Sequence, residues 1–164
     1  MPDKGILMKK TLSRQEIDQR VAVLKRFKAL LQEQRKKFSD YLVVLETQER
    51  SIHEENIDAL VHHTELEQSI IGDIFTIQKV IDPIEEMYRL GMPDKDDTEV
   101  VRLKSDLNKL QSQVLDQNQK NRELLQSRMA DLRQEMISIN PNYSYTSKAF
   151  AKQEAVSSLV DISI

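Results

Sequence analysis

His62 and His63 are the side chains in this sequence best suited to chemistry, with Glu65 three residues after His62 and Glu67 four after His63. On a helix those spacings set an imidazole beside a carboxylate, as shared coordination of a metal ion requires. Bundle metal sites draw further Glu-x-x-His pairs from a second helix. No such second set is present here, so surface histidines are the better reading. Glu54-Glu55 and Glu85-Glu86 are paired carboxylates, but acid–base catalysis needs carboxylates perturbed by burial, and these lie in charge-rich surroundings. A glycine-rich phosphate loop, a G-x-S-x-G turn and a cysteine nucleophile are all absent from the sequence. The expectation is a protein that is not an enzyme and uses no metal or cofactor.

Elements that could position a binding surface are far more legible. Charged residues make up 31% of the 164, aromatics 5%, and there are only 3 glycines, 4 prolines and no tryptophan. Such a mixture suits helical bundles and coiled coils, and one domain fits the length. A net charge of −3 argues against nucleic acid as a partner, since affinity there rests on Lys and Arg neutralising phosphates. The start, MPDKGILMKKTLSRQ, lacks the apolar core of a signal peptide, and no apolar run reaches the roughly 18–20 residues of a spanning helix. No membrane insertion and a cytoplasmic location are expected.

Residues 1–12 read as a flexible lead-in and 13–139 as the helical domain. Ser13 and Glu16 have capping-box spacing, so a first helix is expected from there. Its face is Ile17, Val21, Leu24, Leu31, Phe38, Leu42, Leu45 and Ile52, broadened by Phe27, Leu30, Tyr41 and Val44. Lys28, Arg35 and Glu49 interrupt that seam, which favours a bundle over a strict two-stranded coiled coil. A break near His53–Asn56, with Asn56 as cap and Asp58 in the first turn, leads into a second helix through Ile81. Gly72 within it points to close approach of a neighbouring helix. Asp82-Pro83 predicts a stop and restart, with Gly91 ending one or two extra turns at a left-handed cap. Asp96 and Glu99 form the next cap pair. The fold class is therefore all-α: an elongated antiparallel three-helix bundle of long, shorter and long helices. A partly disordered C-terminal tail, 140–164, would order on a partner or on the bundle.

The third helix, Glu99 to Ile139, has a hole in its stripe. Val100, Leu103, Leu107, Leu110 and Val114 share one face, Asp116 to Glu123 offers no apolar residue, and the stripe resumes at Leu124 and Leu125. Asn121 could fix helix register inside the bundle, or the gap could face solvent where a neighbour runs out. In the second case the stripe beyond it is uncovered and marks a partner site.

The order of long, shorter and long helices followed by a tyrosine-bearing tail resembles the FlgN-type flagellar export chaperones. The resemblance rests on Phe38-Ser39-Asp40-Tyr41-Leu42-Val43-Val44-Leu45-Glu46 running to Glu49 and Ile52, on Asp58-Ala59-Leu60, and on Glu65 to Ile71. Asn118-Gln119-Lys120-Asn121-Arg122-Glu123-Leu124-Leu125 and Asn140-Pro141-Asn142-Tyr143-Ser144-Tyr145-Thr146 complete it. It implies binding without catalysis: hook–filament junction subunits are held in the cytoplasm and delivered to the flagellar type III secretion gate. The client-binding residues it implies are Asn118, Asn121, Leu124, Leu125, Met129, Leu132, Met136 and Ile139, with Tyr143 and Tyr145 contacting the export gate. The alternative is a coiled-coil scaffold that self-associates through the same seam.

Overall fold

The computed structural model describes residues 11–92 and 95–141. Three helices account for nearly all of them: α1 (Arg14–His53), α2 (Ile57–Gly91) and α3 (Thr98–Ile139). They form an all-α, up–down–up bundle in which α1 packs against both α2 and α3. Partners on α1 and α2 run in opposite orders, Gln34 with Ile74, Lys37 with Asp73 and Tyr41 with Glu67. Those on α1 and α3 run in the same order, Lys28 with Asp97, Arg35 with Asp106 and Glu49 with Lys120. The tail from 142 onward, including Tyr143 and Tyr145, and the lead-in 1–10 lie outside the described residues.

Local chemistry starts each helix where the sequence indicates. The Ser13 Oγ accepts from the Glu16 N–H, and the Glu16 carboxylate accepts from the Ser13 N–H at 2.8 Å. Between α1 and α2, Asn56 caps the new helix by accepting from the Ala59 N–H at 3.1 Å. Glu55 in that turn has φ 54°, the left-handed conformation that glycine enters most readily. The cap of α3 is Asp97, one residue later than Asp96. Its carboxylate accepts from the N–H groups of Glu99 and Val100.

Phe27, Leu30, Leu31, Phe38, Tyr41 and Leu45 of α1 form the core with Ile71, Ile74, Ile77, Ile81 and Tyr88 of α2 and Val100, Leu103, Leu107 and Val114 of α3. The rings of Phe27 and Tyr88 pack as a tilted pair, 5.0 Å between centroids. Removing a large apolar side chain from water is worth about 1.5–3 kcal/mol, so this cluster is the main source of stability. The α1 core takes Leu31, Phe38 and Leu45 from the expected face and Phe27, Leu30 and Tyr41 from the residues expected to broaden it. Ile17 and Val21, the first residues of the expected face, are exposed because the first turns of α1 run past the start of α3, which begins level with Lys28.

Lys28, Arg35 and Glu49, the charges that break the α1 seam, all face α3. Lys28 lies between Asp97 and Glu99 at 3.1 and 2.9 Å, and Arg35 reaches Asp106 at 3.0 Å. Ion pairs this open to water add little stability each, but opposite charges in matching order favour this register over its neighbours. Hydrogen bonds from Lys28 to Glu99 and Asp97 hold its ammonium above the usual lysine range, against the opposing effect of burial.

Two expectations about α2 are overturned. The helix runs unbroken through Pro83 for 35 residues. Proline removes a single hydrogen bond there, while buried Ile81 before it and Tyr88 after it keep the chain on the core. Gly91 is consequently the last helical residue, without the positive φ of a left-handed cap, and Met92 closes the helix by donating to the Tyr88 carbonyl. Gly72 marks no close approach either: a Cβ built on it meets nothing within 4 Å.

Candidate functional site: a polar layer and the helix face beyond it

The hole in the α3 stripe is filled from inside. Asn121 is 4% exposed, and its amide donates to the Leu45 carbonyl at 2.8 Å and to Gln48 at 3.0 Å. Gln117 bridges Asn121 to Glu49, donating at 2.9 and 2.6 Å, and Lys120 pairs with the same carboxylate at 2.7 Å. Contact with Lys120 and Gln117 holds Glu49 below the usual carboxylate range.

One step across the layer, the Tyr41 hydroxyl donates to Glu67 at 2.7 Å, with both side chains buried. Burial raises the Glu67 carboxyl above its usual range despite that bond, the nearby Arg122 guanidinium and a bond from Gln48. Burial and the adjacent carboxylate push the Tyr41 phenol far above its usual range. Side chains of all three helices thus meet in one hydrogen-bonded layer. Such a layer fixes register, because any slip leaves buried polar groups without partners. Asn121 is therefore committed to α1 rather than available on an outer face, and Asn118 is half-buried beside the layer.

Above the layer the apolar stripe resumes, and among the described residues its cover runs out. Arg128 of α3 faces Glu55, in the turn that ends α1, at 3.8 Å. From Met129 to Ile139 α3 therefore continues past the α1–α2 turn for about 16 Å at 1.5 Å per residue. Leu124, Leu125 and Met129 are half-buried at the rim. Leu132 is 45% exposed, Met136 43% and Ile139 83%. The uncovering follows from how far α3 runs, not from a much shorter α2. Of the expected client-binding residues, Met129, Leu132, Met136 and Ile139 lie on this projecting part of α3, and Leu124 and Leu125 at its rim.

An open groove adjoins the stripe, lined by Glu55, Arg128, Asp131, Leu132, Gln134, Glu135 and Ser138. Its acidic side chains were not legible as site residues, because Asp131 and Glu135 read as an ordinary solvated helix face. Only the register of α3 on α1 brings Glu55 beside them. Exposed Ile57 and Val61 open α2 at the same end of the bundle.

His62 is exposed and His63 half-buried, their rings 6.1 Å apart. Among the described residues no group of three or more His, Asp or Glu side chains could hold a metal ion. Among the same residues no helix is long and apolar enough to cross a membrane.

The fold and site define a helical bundle with a projecting, partly apolar third helix. The chain belongs to one family with an uncharacterized protein of Treponema pallidum (strain Nichols). The two are 42% identical over 125 residues, which cover 76% of this chain and 80% of that relative. No family model and no solved structure matches the chain.

Proposed function

We propose that this protein is a cytoplasmic export chaperone. It binds hook–filament junction subunits along the projecting part of α3 and delivers them to the flagellar type III secretion gate. The observation that supports this reading is the stripe that starts at Leu125 and continues through Met129, Leu132, Met136 and Ile139 past the end of α1, without a covering helix among the described residues. An amphipathic terminal helix of the client would lie along it, burying apolar side chains of both chains. Met129 and Met136 suit more than one client, because unbranched thioether side chains adapt their shape. Resemblance to the FlgN-type chaperones supplies the client class, and with it the assignment of Tyr143 and Tyr145 to the export gate.

The test is co-purification with a hook–filament junction subunit. A stable complex is expected, abolished by Leu125→Asp with Leu132→Asp while circular dichroism shows the helices intact. Unchanged binding by that variant would remove the face as the client site. Light scattering that finds a stable dimer indifferent to any such subunit would favour a self-associating scaffold instead.

A further inference from the structure

We infer that the projecting face of α3 takes a basic amphipathic helix: an apolar stripe flanked by Lys or Arg. This rests on the client face proposed above and adds the chemistry of its occupant. Three independent observations converge on it.

Charge is strongly segregated along the bundle. Residues 11–37 hold eight Lys or Arg and three Asp or Glu, whereas residues 38–67 hold eight Asp or Glu and one Arg. The second group includes the α1–α2 turn, and α3 alongside and beyond it, residues 116–139, is balanced at four Asp or Glu and four Lys or Arg, so the end of the bundle from which α3 projects is net acidic. An acidic end raises the rate of encounter with basic ligands and repels acidic ones.

The groove itself repeats the pattern. Glu55, Asp131 and Glu135 line it beside Leu132, and Arg128, its one basic side chain, is paired with Glu55. Asp131 and Glu135 are four residues apart on one helix, an unfavourable like-charge pair that a basic side chain between them would relieve.

Finally, α3 ends with no basic residue in its last turn. The carbonyls there carry the negative end of the helix dipole, which basic side chains normally offset. A Lys or Arg from the occupant would supply that charge while its apolar stripe covers Leu132, Met136 and Ile139.

Two designed helical peptides of about 18 residues, roughly 27 Å long, test this against the full chain. Both carry one leucine stripe, flanked by Lys in one and by Glu in the other, and fluorescence anisotropy reads their binding. The Lys peptide should bind about tenfold more tightly or better at low salt, with the preference shrinking as salt rises. Asp131→Lys with Glu135→Lys should erase or invert that preference, and Leu132→Asp should weaken both peptides.

Equal affinities would overturn the charge assignment while leaving an apolar client face in place. No binding of either peptide to a monomeric chain would overturn the inference, as when the chain's own C-terminal residues occupy the face. A dimer that neither peptide dissociates would assign the face to a second copy and also overturn it. Failure of a junction subunit to co-purify, with the Lys peptide still bound through Asp131 and Glu135, would instead reject the proposed client class and keep this inference.

Discussion

Tyr41→Phe tests the polar layer with the smallest possible change, the loss of one hydroxyl. That hydroxyl donates to Glu67 at 2.7 Å, and Tyr41 and Glu67 are 0% and 8% exposed, so water cannot replace it cheaply. A hydrogen bond to a charged group contributes about 1.5–3 kcal/mol, and losing one partner leaves the other desolvated. Glu67 keeps its bond from Gln48 and the attraction of Arg122, which argues against the top of that range. The expected loss is about 2 kcal/mol, or roughly 4–8 °C in Tm for a chain of this size. Urea unfolding followed by circular dichroism would measure it at neutral pH and again in acid. In acid the deficit should shrink, because a protonated carboxyl costs less to leave without its donor. A variant within about 0.5 kcal/mol of the parent at both pH values would refute the claim that this pair holds α1 to α2.

Glu67→Gln gives the pH signature of the same layer. Burial raises the folded-state pKa of Glu67, so its contribution is fully present below the unfolded value and is lost as pH rises through the folded one. Relative to the parent, the Gln variant should therefore gain stability as pH rises above the usual glutamate range; a flat or opposite difference in urea midpoints would count against this. Gly72→Ala should stabilise by about 0.5–1 kcal/mol, since the new methyl meets nothing within 4 Å and helix propensity improves, and thermal denaturation would show it. Pro83→Ala should also stabilise, by up to about 3 kcal/mol, by restoring a hydrogen bond within α2. Lower Tm for the Pro83 variant would mean that the proline matches a bend the bundle needs.

Helix positions and order were readable because they rest on local chemistry: Ser13 with Glu16, Asn56 with Ala59, and the stripe from Val100 to Val114. Pro83 misled because its cost is local while the compensation is tertiary, from Ile81 and Tyr88 in a core with α1. Gly72 misled for the opposite reason, since a glycine on an open helix face has the same sequence signature as one at a close crossing. Asn121 was readable as a polar interruption, but nothing in the sequence decides whether its amide meets Leu45 and Gln48 or solvent. The acidic groove was invisible, because it depends on the longitudinal register that sets Arg128 of α3 against Glu55. Lys28, Arg35 and Glu49 did announce that register as seam-breaking charges, but their partners become evident only once α3 is placed beside α1.

The central claim is that the stripe of α3 beyond the α1–α2 turn binds a client helix. Isothermal titration of a purified hook–filament junction subunit into the full chain, with and without Leu132→Asp, tests it most directly. Saturable binding by the parent is expected, with a loss of about tenfold or more in the variant, whose helicity and Tm stay close to those of the parent because Leu132 is already 45% exposed. Equal affinity in the two proteins would contradict it.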